Sequence, residues 1–154
     1  MDGDPRWLDD REQRAWIAFL TAAGLLGRRL DRQLEHDAGL SHLQYEILVR
    51  LSAAPGHELR MTELADALVN SKSKLTYQID RLEQAGLVRR RSCRSDMRAV
   101  YAVLTEAGRR KLEQAAPAHV AMVRELFIDV LTPEQLDVIG IALDEVGRRL
   151  RTEP

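Results

Sequence analysis

Between residues 70 and 98 the chain carries eight cationic side chains, Lys72, Lys74, Arg81, Arg89, Arg90, Arg91, Arg94 and Arg98, against three carboxylates, Asp80, Glu83 and Asp96. The local balance is +5, which leaves −6 for the rest of a chain whose net charge is −1. Guanidinium forks match phosphate oxygens and the paired acceptors of guanine. The short hydroxyls of Ser71, Ser73, Thr76 and Ser95, with Tyr77, suit phosphate or base-edge hydrogen bonds. A chain polarised in this way can hold a polyanion on one face and stay soluble on the other. The bland reading is a solvated charged surface, and charge alone does not separate the two.

The elements that carry these residues do separate them. Two β-type runs, 87–91 and Val100–Leu104, flank a polar turn in which Arg94 and Arg98 bracket Asp96. Just before them, residues 71–85 repeat apolar side chains at Leu75, Ile79 and Leu82, the i, i+4, i+7 spacing of a helix, and Gly86 ends it. At 100° per residue Ser73, Tyr77, Asp80 and Gln84 fall opposite that stripe, with Lys74 and Arg81 at its margin; Lys72 lies closer to the buried side. A polar-faced helix followed by a basic hairpin is the arrangement a winged helix-turn-helix uses to fill a major groove and reach the neighbouring minor groove.

Upstream, Trp16, Phe19, Leu20, Ala23, Leu26, Leu30 and Leu34 predict a long amphipathic helix over 10–36, stopped by Gly39. Ser41 with Gln44 forms a capping box for a second helix whose buried side holds Tyr45, Leu48 and Leu51. A loop at 53–57, a short strand at 59–61 and a helix over 63–68 capped by Thr62 complete the approach. Downstream, Thr105 caps a helix expected to run to about residue 131 with a kink at Pro117. Thr132, Pro133 and Gln135 then restart a last helix with Leu136, Ile139, Leu143, Val146 and Leu150 on one stripe.

The fold class is therefore mainly α with a small β-wing: a winged helix-turn-helix core, 41–104, flanked by N-terminal (1–40) and C-terminal (105–154) dimerisation helices, all one integrated domain. A core of ~70 residues covers only part of the arms' apolar faces. They must pack on each other, within one chain as a bundle or between two chains; a two-fold dimer is the preferred solution and a monomeric bundle the alternative. At 154 residues one domain suffices. No apolar run approaches the ~18–20 residues of a membrane span. Residues 1–7, Met-Asp-Gly-Asp-Pro-Arg-Trp, lack the apolar stretch of a secretory signal. The single cysteine, Cys93, permits no intrachain disulfide, and a cytoplasmic protein is expected.

Several stretches together resemble the MarR/SlyA family of bacterial transcription regulators. They are Leu82-Glu83-Gln84-Ala85-Gly86-Leu87-Val88-Arg89-Arg90, Ser95-Asp96-Met97-Arg98-Ala99 and Val103-Leu104-Thr105-Glu106-Ala107-Gly108, with Met61-Thr62-Glu63-Leu64-Ala65 at the helix-turn-helix opening. The resemblance implies that residues 71–81 form the recognition helix, that Arg98 enters the minor groove, and that Asp96 holds Arg98 by a carboxylate–guanidinium contact. Met97 departs from the family's commoner arginine, which increases the dependence on Arg94 and Arg98. Of Arg89, Arg90 and Arg91, alternating on a strand, one or two are expected to reach phosphate.

The resemblance also implies a pocket between arms and DNA-binding lobe, where Trp16 and Phe19 would form aromatic walls for a small aromatic acid effector; a plain core role is the alternative. His42 and Tyr45 either face that pocket or are a surface histidine and a core tyrosine. Trp7 is read as an anchor for the N-terminal segment. Cys93, beside Arg91 and Arg94, has the cationic neighbours of a reactive thiolate, yet is more simply a small tolerated turn residue. Family members that sense peroxide carry their cysteine in the first helix, where this chain has none. His36, His42, His57 and His119 are dispersed, so no metal site and no cofactor are expected. No Gly-rich phosphate loop, nucleophile elbow or paired catalytic carboxylate motif occurs, so the chain is not expected to be an enzyme. The expectation is a homodimeric, sequence-specific regulator, a repressor of its own or a neighbouring promoter, that binds pseudo-palindromic double-stranded DNA. The alternatives are a winged-helix module for protein interaction and a thiol-responsive regulator acting through Cys93.

Overall fold

The computed structural model of the chain describes residues 5–152; the acidic residues 1–4 lie outside them. Helix α1 spans Asp10–Ala38. Asp9 caps it by accepting the Glu12 N–H at 2.8 Å while Glu12 accepts the Asp9 N–H at 2.9 Å, a capping box one residue before the predicted start. Gly39 closes the helix in the left-handed conformation, φ 67°. Helix α2, His42–Ala53, begins with the expected Ser41–Gln44 box. Its Gln44 side chain also donates to Gln78 Oε1 at 3.0 Å.

After a 3-10 turn at Pro55–His57 come strand β1, Glu58–Arg60, and helix α3, Met61–Leu68. Both begin earlier than their apolar pattern suggests, and Thr62 is not the cap. Glu63 reaches back to accept the Arg60 N–H at 3.2 Å, so the helix starts at Met61. Helix α4, Lys72–Gln84, is capped by Ser71, whose Oγ accepts the Lys74 N–H. Strands β2, Val88–Ser92, and β3, Val100–Leu104, form the hairpin. The sheet order is β1-β3-β2, antiparallel throughout, with Arg90 opposite Ala102 and Arg91 opposite Tyr101.

Helix α5, Glu106–Val123, is capped by Thr105 and continues in helical form through Pro117. A π-helical turn follows at Arg124–Ile128, before α6, Pro133–Thr152. Thr132 and Gln135 cap each other's backbone N–H groups at the start of α6.

The core lies under the wing. Ile47, Leu48, Leu51, Leu64, Leu75, Ile79, Leu82 and Val88 are all less than 2% exposed, drawn from α2, α3, α4 and β2. Each such side chain contributes ~1.5–3 kcal/mol by leaving water. A second, smaller cluster of Leu34, Tyr45 and Ala115 joins α1, α2 and α5. The seam between hairpin and α5 is made by Thr105, whose hydroxyl donates to the Gly86 carbonyl at 2.7 Å and accepts the Gly108 N–H at 3.0 Å. Gly108 is required there, since a Cβ would sit 2.1 Å from the Leu87 carbonyl oxygen.

The arms are another matter. Along α1 only Leu30, Gln33 and Leu34 are buried. Trp16, Ile17, Phe19, Leu20 and Leu25 are about half exposed. Trp7 is 80% exposed and has no buried seat among the described residues, and within one chain Trp16 and Phe19 are not core residues either. From 133 to 151 no residue of α6 is buried.

Candidate nucleic-acid interface

Helix α4 is fixed from behind by Leu75, Ile79 and Leu82, and its outward face follows from that anchoring. Ser71, Ser73, Lys74, Thr76, Tyr77 and Arg81 are all exposed. So is Lys72, which its helical position placed nearer the core; it borders the cleft between α4 and the wing. Thr76 Oγ1 donates to the Lys72 carbonyl at 2.8 Å, and the Arg81 guanidinium lies 6.0 Å from the centre of the Tyr77 ring. Ser71 Oγ sits 3.4 Å from Ser73 Oγ, so the helix begins with a pair of hydroxyls.

The wing turn is short and internally pinned. Cys93 N–H donates to the Ala99 carbonyl and Ala99 N–H to the Asp96 carbonyl, each at 3.0 Å. Asp96 also acts differently from expectation. Its Oδ1 accepts the backbone N–H of Arg98 at 3.0 Å, the Asx-turn geometry, and makes no ion pair with the Arg98 guanidinium. The carboxylate shapes the chain beneath Arg98 and leaves the guanidinium to solvent. Among the described residues no carboxylate pairs with Arg94 or Arg98, and both are exposed. Ser95 lies beside them with its Oγ 3.1 Å from Cys93 Sγ. That hydrogen bond, ahead of the backbone at Ser95 and Asp96, draws the Cys93 thiol below its ordinary range.

The three strand arginines divide by side. Arg90 shares a face with Val88 and turns toward α4, where it meets Glu83 at 2.9 Å and Asp80 at 2.6 Å. Arg91 turns the other way, meets Glu58 at 2.6 Å and lies 4.5 Å from the centre of the Tyr101 ring. Its guanidinium holds the Glu58 carboxyl below the usual carboxylate range. Only Arg89 stays exposed and outside these pairs.

Between the wing and helices α3 and α4 lies a cleft of about 430 Å³, bordered by Arg60, Thr62, Lys72, Thr76, Arg90 and Arg98. Neither Arg60 nor Thr62 was read as a site residue from sequence. Their signal was position alone, at the mouth of the first helix of the helix-turn-helix. Arg60 Nε donates to the Tyr101 hydroxyl at 3.0 Å, which ties β1 to the hairpin.

Structure does not bring together the four residues proposed to line an effector pocket. Trp16 and Phe19 stack near each other at 6.3 Å on the outer half of α1. Twelve residues, or ~18 Å of helix, separate Phe19 from Asp31, which accepts the His42 N–H at 2.8 Å. His42 and Tyr45 instead meet His119 of α5, with ring centres 5.7 and 4.4 Å away. His119 is buried, its Nδ1 3.2 Å from Gln33 Oε1. Burial, and secondarily His42, push its pKa down; burial likewise pushes the Tyr45 hydroxyl up. Chain order hid this contact, because 77 residues separate the two histidines. Among the described residues no group of three or more His, Cys, Asp or Glu side chains is placed to hold a metal ion, and no helix is long and apolar enough to cross a membrane.

A helix-turn-helix whose second helix is polar outward, a basic hairpin beside it and long helical arms at both ends define a winged-helix DNA-binding regulator. Residues 40–100 match the sequence model of the MarR family. AbsC, a MarR family transcriptional regulator from Streptomyces coelicolor, is 46% identical, with a TM-score of 0.92 over 97% of this chain and 100% of that one. Sco3205, a MarR family regulator from the same organism solved in complex with DNA, is 44% identical, with a TM-score of 0.93 over 97% and 93% of the two chains. The HTH-type transcriptional repressor YetL of Bacillus subtilis is 30% identical over 128 residues, 81% of this chain and 76% of that protein. The chain belongs to the MarR family of transcriptional regulators.

Proposed function

We propose that the chain acts in the cytoplasm as a homodimeric repressor on a pseudo-palindromic operator. In this reading α4 enters the major groove with Ser71, Ser73, Lys74, Thr76, Tyr77 and Arg81. Lys72, Arg94 and Ser95 meet the backbone, and Arg98, its turn shaped by Asp96, reaches the adjacent minor groove. The observation that carries the reading is electrostatic. On a hairpin where Arg90 and Arg91 are each neutralised by carboxylates, Arg94 and Arg98 at the tip are not. Sco3205 binds DNA with the same fold, which supports the same use here.

The dimer draws its support from the half-exposed apolar side chains of α1 and the unburied α6. Two copies joined through these arms would set their recognition helices ~34–36 Å apart, one turn of duplex. A small aromatic acid would act as effector at the His42–Tyr45–His119 junction, where arms and DNA-binding lobe meet, by changing the spacing of the two α4 helices; a coupling of ~1–3 kcal/mol suffices. We read residues 1–40, 41–104 and 105–154 as parts of one integrated domain.

Fluorescence anisotropy with a labelled duplex upstream of the gene, repeated over a salt series, tests the DNA reading. Wild-type affinity should fall steeply with salt, and an Arg94→Ala, Arg98→Ala double variant should flatten the log–log slope by about 2. Binding that the double variant leaves untouched removes the wing from the interface. DNA affinity indifferent to salt would favour use of the winged helix as a protein-docking module. A thermal-shift screen of aromatic acids that finds no ligand altering melting or DNA affinity removes the effector.

A further inference from the structure

Arg90 borders the DNA-reading cleft, yet both terminal nitrogens of its guanidinium and its backbone N–H are taken up by α4. Its Nη1 donates to Glu83 Oε1 at 2.9 Å, its Nη2 to Asp80 Oδ1 at 2.6 Å and, at 3.4 Å, to the Thr76 carbonyl, and its backbone N–H to Glu83 Oε2 at 2.8 Å. One residue at the root of the wing thus binds Thr76, Asp80 and Glu83, three positions on successive turns of α4. The guanidinium is 27% exposed, against 50% and 41% for its two acidic partners, so it is the inner member of the group. A planar fork that grips two carboxylates at once fixes orientation as well as distance. The only covalent route from α4 to β2 is the short turn through Ala85, Gly86 and Leu87, and Gly86 sits in it at φ 74°.

From this geometry we infer that Arg90 is a positioning residue for DNA reading. Its clamp on Asp80 and Glu83 sets the offset between the recognition helix and the wing, so that Arg98 arrives at the minor groove in register with the side chains of α4. Asp80 and Glu83, which place negative charge on a face meant for a polyanion, are explained by this role: they are spent on Arg90. Arg91 performs the matching task on the opposite face of the strand, through Glu58 and Tyr101. The inference rests on the proposed use of α4 and the wing.

The test uses the full-length protein, a duplex that it selects from a randomised pool, and a scrambled duplex of equal length. An Asp80→Ala, Glu83→Ala variant removes both acceptors and keeps the arginine. Positioning predicts that affinity for the selected duplex drops roughly tenfold, the size of one lost base contact, while affinity for the scrambled duplex holds or rises because two negative charges are gone. Arg90→Lys, which keeps charge and loses the fork, should show the same fall in discrimination with an unchanged salt slope. The inference is overturned if selected and scrambled affinities rise together in the double variant, or if the salt slope in Arg90→Ala is lowered by about 1, the mark of a direct phosphate contact. Melting temperatures taken alongside identify unfolding; if Arg90→Ala does not fold, the acidic double variant decides. If Arg98→Ala and Lys74→Ala also leave binding untouched, it is the DNA reading itself that fails; if they weaken it and the Arg90 set does not, only the positioning role fails.

Discussion

Arg90 and Arg98 lie eight residues apart on one hairpin and meet opposite fates, the first enclosed by carboxylates and the second left to solvent. What separates them is direction: Arg90 shares the strand face that packs on α4, whereas Arg98 sits in a turn whose single nearby carboxylate is occupied by backbone. That occupation changes what Asp96 is for. If it works as a turn former, its charge is dispensable and its oxygen is not. Asp96→Asn should therefore bind DNA at least as tightly as wild type, and Asp96→Ala should bind more weakly, measured by anisotropy at fixed salt. Equal loss in both would restore the carboxylate–guanidinium role that sequence suggested. The residues of the proposed interface stand out in the chain because charge, hydroxyl content and periodicity coincide over 71–98. The partner choices do not, because Arg90 and Asp80, or Asp96 and its own backbone, are decided by strand direction and turn geometry.

At the scale of elements, the seam between the wing and α5 depends on Gly108, which lies 2.1 Å, measured from an added Cβ, from the Leu87 carbonyl. Gly108→Ala should cost about 1–3 kcal/mol of stability in urea unfolding, because the clash is with backbone that cannot turn aside. Junction chemistry gives a second expectation. His119 is neutral in its buried site, with its pKa lowered by burial and then by His42. A lowered folded pKa means the unfolded chain takes up the proton first. The stability this site supplies is complete above the ordinary histidine value of ~6.5 and is lost as pH falls below it. The melting temperature should therefore fall between pH 7.5 and 5, and His119→Gln should blunt that fall; identical pH profiles would contradict the assignment. Helix starts at α2, α5 and α6 follow their capping signals, since Ser41, Thr105 and Thr132 each bond the backbone as their residue types demand. Two elements did not follow theirs. The start of α3 is set by Glu63 reaching back, which no apolar period reports. The α-helical stretch of α5 ends at Val123 in a π-helical turn, short of the expected end near residue 131.

At the scale of the whole molecule, a single chain completes a core beneath its DNA-reading face and leaves its arms half-dressed. Amphipathic stripes on the first and last helices were plain in the sequence, but nothing in one chain says which stripe meets which. Leu143 and Val146 of α6 are 44% and 54% exposed. Changing both to Glu would place two charges where the proposed dimer needs apolar contact. Sedimentation should then find monomers where the wild type sediments as a dimer, with far-UV circular dichroism little altered. A wild-type monomer, or a dimer indifferent to the change, would return the arms to the bundle reading. The most direct measurement of the account as a whole is a hydroxyl-radical footprint on the selected duplex, with wild type and Arg98→Ala compared. It should show two protected backbone segments one helical turn apart, ~10 base pairs centre to centre, flanked by minor-groove protections that Arg98→Ala alone removes. A single protected patch, or flanking protection that survives Arg98→Ala, would contradict the claim that two copies read DNA with helix and wing together.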